Sequence, residues 1–162
     1  MTNMYQARRY CGNTLEVVTL NIDMEIRVFQ KSDEKDVIQL WIECGLTVPW
    51  NNPKLDINRK LKENAEEILV GLINCEIIAT AIVGYDGHRG WVYYLGVKPK
   101  YRKMGYGNQI MEAAEKHLFK LGCPKINIMV RETNSDVINF YESIGYKKQN
   151  IVTLGKRLIP DN

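Results

Sequence analysis

The chain has 162 residues, of which 45% are hydrophobic and 25% charged, and its formal net charge is +3. This length and composition fit one globular domain and exclude a disordered or fibrous protein. The charge is too small to indicate nucleic-acid binding by itself, and no apolar run approaches the ~20 residues of a membrane span. We therefore expect neither nucleic acid nor a membrane among the partners.

The four cysteines, Cys11, Cys44, Cys75 and Cys123, are scattered and include no Cys-x-x-Cys pair. This spacing is typical of reduced thiols, and the N-terminus lacks the uninterrupted apolar core of a signal peptide. Only two histidines are present, which argues against a His-rich metal centre. We expect a cytoplasmic protein that uses no metal.

Residues 1–23 differ from the rest of the chain, because they are polar at first and turn apolar only from Leu15 to Leu20. We predict an N-terminal extension here: an added strand, a mobile tail or translation from an upstream start. A single domain is predicted over residues 24–160. It opens with the strand Met24–Phe29, in which apolar residues alternate.

Two helices are predicted next, separated by the loop Thr47–Pro53, whose two prolines bar a continuous helix. The β-branched runs Ile68–Ile73 and Ile77–Val83 then predict a hairpin. The turn Tyr85–Gly90 leads into a strand at Trp91–Val97.

A helix that follows a glycine-rich segment is predicted to end near Leu121, where Gly122 and Pro124 stop it. After it come a strand at Lys125–Val130, a helix at Ser135–Ser143 and a final strand at Ile151–Leu158. The order of elements, β-α-α-β-β-β-α-β-α-β, predicts an α/β (α+β) domain with a mixed sheet and helices on its faces.

The strongest signal is the glycine-rich segment itself, Arg102-Lys103-Met104-Gly105-Tyr106-Gly107, between an apolar strand and a helix. Backbone N–H groups at a helix N-terminus lack helical partners, and glycine lets a pyrophosphate approach them closely. A dinucleotide fingerprint would need glycine or alanine where Ile110 stands, and a P-loop would need Gly-Lys-Ser/Thr. An ordinary strand–turn–helix without a ligand is the alternative.

Arg102-x-x-Gly105-x-Gly107 resembles the Gln/Arg-x-x-Gly-x-Gly/Ala motif of the GNAT superfamily of acyl-CoA N-acetyltransferases. At closer range, Tyr85–Gly90, Tyr94–Val97 and Leu154–Leu158 look like the small bacterial YpeA-type acetyltransferases. The resemblance extends from Met24 to about Leu158. It implies the GNAT fold, with a mixed, mostly antiparallel central sheet and helices on both faces.

The resemblance also implies an activity: transfer of an acetyl group from acetyl-CoA to a primary amine by direct attack on the thioester. Tyr141 matches the residue that protonates the departing thiolate in related enzymes and is the predicted catalytic residue. Related enzymes bind acetyl-CoA between a bulged strand and its splayed neighbour. The positions that match their cofactor-binding residues are Leu95, Gly96, Val97, Arg102, Lys103, Met104, Gly105, Tyr106, Gly107, Asn108 and Asn134.

The general base stays open, because Trp91 stands where several relatives carry a glutamate. Glu132, Asp86, His88 or a water molecule are the candidates. A non-catalytic acyl-CoA-binding regulatory domain of the same fold is the alternative function, and an enzyme that uses the fold for nucleotide anions is a further one.

The acceptor is an amine of a small molecule or of a protein, and a homodimer is among the possible assemblies. Several aromatic residues are candidates for shaping the amine site, although aromatic side chains more often belong to a core. These are Trp41, Trp50, Trp91 and Tyr93, with the loop Pro49–Pro53.

Overall fold

The computed structural model describes residues 5–11, 14–20 and 23–161, the first two ranges as backbone only. Strands β1 (Tyr5–Cys11) and β2 (Thr14–Leu20) pair antiparallel as a sheet of their own. The rest of the predicted N-terminal extension, residues 1–4, 12–13 and 21–22, lies outside the described residues.

The main sheet has five strands in the order β3-β4-β5-β6-β7, namely Glu25–Val28, Ile68–Ile73, Glu76–Tyr85, Gly90–Val97 and Ile126–Asn127. Strands β3 to β6 pair antiparallel, and β7 pairs parallel with β6. The predicted mixed, mostly antiparallel sheet is therefore confirmed. The helices are α1 (Glu34–Glu43), α2 (Pro53–Glu63), α3 (Tyr106–Lys120) and α4 (Ser135–Ser143).

The sheet separates two hydrophobic cores. Trp41 of α1 and Ile57 of α2 are buried on one face, and Ile110 of α3 and Tyr141 of α4 are buried on the other. Strand β5 contributes to both cores, because helices cover it from both sides. Its nearly continuous apolar sequence is what a strand buried on both faces requires.

Two strand predictions need correction. The strand expected at Lys125–Val130 is reduced to Ile126–Asn127, and the final strand expected at Ile151–Leu158 is wrong, since these described residues form no strand. The apolar side chains of this tail are 69–90% exposed. β-branched residues form a strand only beside a hydrogen-bonded neighbour, whereas this tail is held at its end by Arg157, which donates to Asn51 Oδ1 at 2.6 Å.

Where β5 and β6 pair, β6 has one residue more than the segment of β5 opposite it. Thr80 lies opposite Gly96 and Ile82 opposite Tyr93, so the single residue Ala81 faces two residues of β6. Such a β-bulge shifts the alternation of side chains along the strand. Tyr94 packs into the core beneath α1 and α2, whereas Leu95 and Val97 pack into the core beneath α3 and α4.

The bulge places Tyr94 in the left-handed region, at φ +49°, and three contacts hold it there. The Trp41 indole N–H donates to Thr80 Oγ1 at 3.0 Å, and that hydroxyl donates to the Tyr94 carbonyl at 3.0 Å. The Trp41 ring stacks on the Tyr94 ring with centroids 3.9 Å apart. The Tyr94 hydroxyl donates to Asp56 Oδ2 at 2.6 Å. The bulge is therefore supported entirely from the α1 and α2 face.

Thr80→Val should lower the free energy of unfolding by about 1–3 kcal/mol, because it leaves the Trp41 N–H and the Tyr94 carbonyl without their buried partner. Urea denaturation measures the change. Thr80→Ser is the control: it keeps the hydroxyl and loses only a methyl group, so it should cost less. A valine variant as stable as the parent protein would contradict this role of the hydroxyl.

Candidate active site

One edge of β6 is without a strand partner along most of its length. Within the described residues, β7 pairs only with Gly90 and Trp91, through Ile126 and Asn127. Gly90 is closely packed at this point, because an added Cβ would lie 2.8 Å from Cys123 Sγ and 3.3 Å from Ile126 Cγ1. From Val92 onward the β6 edge is open on this side, which is where Leu95 and Val97 lie.

The backbone of Val97 points towards this open edge. The Lys98 N–H donates to the Ile78 carbonyl of β5 at 2.9 Å, so by the alternation of an antiparallel ladder the polar groups of Val97 face away from β5. The Val97 carbonyl accepts from Arg102 Nε at 3.0 Å and from Cys44 Sγ at 3.3 Å. A ligand amide that uses this carbonyl would therefore compete with the Arg102 side chain.

Gly96, between these residues, is a glycine because α1 and the loop after it pack closely against it. An added Cβ would lie 2.9 Å from Leu46 Cδ1 and 3.1 Å from Leu40 Cδ2. The residue therefore lets the open strand lie directly against α1.

Helix α3 begins at Tyr106, and its N-cap is Gly105, at φ +83° and without a side chain that could cap the helix. The first N–H groups of a helix have no acceptor inside it, and its dipole adds partial positive charge at this end. Lys103 also has a positive φ, +60°, so the loop turns sharply before the helix. These features fit a pyrophosphate group.

Glu76 neutralises part of the positive charge of the segment that leads into this loop. It accepts from Lys98 Nζ at 2.9 Å, from Lys100 Nζ at 3.0 Å and from the Tyr101 hydroxyl at 2.9 Å. These hydrogen bonds, Lys98 first, lower the pKa of Glu76 to about 2. Two of the basic residues are thus paired with a carboxylate, whereas Arg102 has no carboxylate partner among the described residues.

Gly107 is the point where α3, α4 and β6 meet. An added Cβ would lie 3.2 Å from two ring carbons of Phe140 and 3.9 Å from Val97 Cγ2. The second glycine of the motif is therefore required by packing as well as by any ligand. Of its neighbours, Tyr106 is buried and Asn108 donates to Glu112 Oε1 at 2.6 Å.

Tyr141 lies in α4 and is 7% exposed. Its ring packs between Phe140 and Tyr146, with centroids 5.1 and 5.7 Å away. Burial raises the pKa of Tyr141 to about 12, so the phenol is protonated at neutral pH. Its hydroxyl has no hydrogen-bond partner among the described residues, whereas the Tyr146 hydroxyl donates to Glu115 at 2.9 Å.

Asn134 is the N-cap residue of α4, but its side chain makes no capping hydrogen bond and is exposed. Met104 and Lys103 lie in the loop before α3, with Met104 half-buried and Lys103 exposed. The loop follows the open edge of β6 directly in the chain, whereas the α4 residues come after α3 and β7.

The carboxylate of Asp86 accepts its hydrogen bonds within and beside the turn before β6. It accepts from the backbone N–H groups of Arg89 and His88 and from the Trp91 indole N–H, at 2.6, 2.8 and 3.0 Å. These bonds, Arg89 first, lower the pKa of Asp86 to about 2, which makes it a poor base at neutral pH. The eight residues of β6 separate this turn from Val97 by roughly 23 Å. Glu132 is exposed ahead of α4.

A cavity of about 360 Å³ lies between α2, β5 and β6, on the face opposite α3. Tyr93 is among its lining residues, as the sequence suggested, whereas Trp41 is fully buried in the core. A larger groove of about 730 Å³ lies at the far end of α3, roughly 22 Å along that helix from Gly105. No predicted site residue lines the larger groove. The smaller cavity lies next to the bulge, because Tyr93 and Tyr94 line it.

In the part of the chain that the structure describes, no three His, Cys, Asp or Glu residues are grouped so that they could hold a metal ion. No helix in the same ranges is both long enough and apolar enough to cross a membrane.

The described residues thus form a mixed sheet whose bulged strand β6 has an open edge and is followed by a helix with the left-handed Gly105 at its N-cap. The model of the Acetyltransferase (GNAT) family matches residues 34–146, and the chain belongs to this family.

The chain is 51% identical to an acetyltransferase of Yersinia pestis over 138 residues, which cover 85% of this chain and 98% of that protein. Its fold is shared with the ribosomal-protein-S18-alanine N-acetyltransferase of Escherichia coli, at TM-score 0.66 and 21% identity, over 79% and 80% of the two chains. It is also shared with AAC(6')-Iy in complex with a CoA-containing bisubstrate analogue, at TM-score 0.69 and 16% identity, over 84% and 99%.

Proposed function

We propose that this chain transfers an acetyl group from acetyl-CoA to a primary amine by direct attack of the amine on the thioester. The observation that carries the proposal is the junction at which the open edge of β6 leads into the N-terminus of α3 at Gly105. One side of that junction offers strand-like amide pairing and the other offers an anion site. Acetyl-CoA has both features, an extended chain of amides and a pyrophosphate.

The predicted binding residues have distinct roles in this proposal. Leu95 and Val97 give backbone groups to the amides, with Gly96 between them, and the loop from Arg102 to Asn108 gives N–H groups and positive charge to the pyrophosphate. The Asn134 side chain, which is not used for capping, is free to bind the same ligand. The CoA-containing complex of a protein with this fold supports the choice of ligand.

In the reaction, the amine nitrogen forms the new C–N bond, the C–S bond breaks and the thiolate takes up a proton. The Tyr141 phenol is protonated and buried, so it donates to the sulfur. Because its pKa of about 12 exceeds the ~8.5 of an ordinary thiol, desolvation of the thiolate must assist complete proton transfer. The roughly 23 Å between Val97 and the turn that holds both Asp86 and His88, together with the low pKa of Asp86, leaves Glu132 or water to accept the proton of the amine.

The amine enters through the cavity between α2 and β6, which reaches the bulge from the face opposite α3. We assign catalysis to residues 24–160 as one domain of the small YpeA-type subgroup, acting in the cytoplasm.

A screen of amines with acetyl-CoA tests the proposal directly, with free CoA thiol as the readout. The panel should hold small primary amines, aminoglycosides and peptides with free N-termini. Thiol release that depends on the amine supports the enzyme. Acetyl-CoA binding without release for any amine would indicate the regulatory acyl-CoA-binding domain instead.

Gly105→Val should abolish the rise in Tm that acetyl-CoA gives the parent protein, because the added side chain blocks the approach of phosphate to the backbone. Gly87→Val is the control. Gly87 has the same φ, +83°, and an added Cβ there meets nothing within 4 Å, so the variant has the backbone strain but should keep the shift. Equal shifts in the two variants would remove the assignment of the loop.

Tyr141→Phe should lower kcat by roughly 10²-fold and leave the acetyl-CoA-induced Tm shift unchanged, because it deletes only the proton donor. Tyr146→Phe, in the same aromatic cluster, removes a hydroxyl that is bound to Glu115 and should change kcat little. With a pKa of about 12, Tyr141 should cause no fall in kcat between pH 7 and about 9.5. Parental turnover in Tyr141→Phe would exclude the tyrosine as the acid.

A further inference from the structure

The C-terminal end of the chain is bound to the beginning of α2. The Arg59 guanidinium donates to both carboxylate oxygens of Asp161, at 2.6 and 3.2 Å. The Asn52 N–H, at the N-cap of α2, donates to the same carboxylate at 3.1 Å. The Asp161 side chain is 3% exposed and the Arg59 side chain 49% exposed, so this ion pair lies at the surface with its carboxylate covered.

The same guanidinium connects Asp161 to the bulge of β6. Arg59 Nη1 also donates to Asp56 Oδ1 at 3.1 Å, and Asp56 Oδ2 accepts the Tyr94 hydroxyl at 2.6 Å. Asp161, Arg59, Asp56 and Tyr94 thus form an unbroken chain of hydrogen bonds from the C-terminus to the strand. One guanidinium is shared by two carboxylates, so the loss of either carboxylate frees it to reorient.

We propose that Asp161 is a positioning residue for acetyl transfer: it orients Arg59 and Asp56 so that Tyr94 keeps the bulge that presents Leu95 to Val97. This inference rests on the proposed function, which assigns those residues to acetyl-CoA. The physical reason is that a tyrosine at φ +49° persists only where its surroundings hold it, and the hydroxyl is one of its three supports. A small displacement of a binding strand is enough to slow a reaction strongly.

The test compares Asp161→Asn with Asp33→Asn. Asp33 accepts two hydrogen bonds from Arg27, at 2.7 and 3.0 Å, and one from the Gln30 N–H at 2.8 Å, just ahead of α1. Asp33 thus accepts the same kinds of hydrogen bond at the start of a helix, but no chain of hydrogen bonds joins it to Tyr94. Asp161→Asn should speed hydrogen exchange of amides 92–97 by about tenfold and lower kcat by a similar factor, and Asp33→Asn should do neither.

Tyr94→Phe tests the same connection from the other end, since it keeps the ring stacked on Trp41 and removes only the hydroxyl. The double variant Asp161→Asn with Tyr94→Phe should be no slower than the single variants, because both break one chain of bonds. Additive losses, or exchange in Asp161→Asn equal to that in Asp33→Asn, would overturn the inference. Absence of turnover in the parent protein would defeat the proposed function, while the exchange measurement would still decide the role of Asp161.

Discussion

The extra residue in β6 is the constraint on which the rest of the structure depends. Without it, simple alternation would turn Tyr94 towards α3 and Leu95 towards α1. The bulge reverses this, so that the tyrosines at its start belong to one face of the sheet and Leu95 and Val97 to the other. One strand can therefore line a cavity on one face of the sheet and carry side chains into the core on the other, beside its open edge.

The helices on the two faces of the sheet therefore have different roles. Helix α3 places Gly107 against Phe140 of α4 and Val97 of β6, whereas α1 and α2 carry side chains that support the bulge. Three different elements supply the supports, with Trp41 from α1, Thr80 from β5 and Asp56 from α2. Asp56 and Tyr94 belong to this support and also line the cavity beside the bulge, so the shape of the strand and the shape of the cavity depend on the same side chains.

The sequence predicted the elements whose signals are local. Helix α4 has the predicted bounds Ser135–Ser143, and α3 begins within the glycine-rich segment, because glycine and capping positions mark helix ends directly. The final strand failed because strand formation depends on a distant neighbour that propensity does not reveal. Glu76 and Asp56 were missed for the same reason, since their partners lie far along the chain. Thr80 alone could have been noticed from the sequence as a buried polar contact, because it is a polar residue within an apolar run.

The contact between Gly107 and Phe140 bears on how this motif is inherited. Because the ring of Phe140 occupies the space that a larger side chain at position 107 would need, selection for a stable fold preserves this glycine whether or not a ligand binds. A descendant that lost acetyl transfer would still retain it as long as α4 packs on α3. Retention of the second motif glycine in a diverged relative therefore reports ancestry and folding, and is no evidence by itself that a ligand binds.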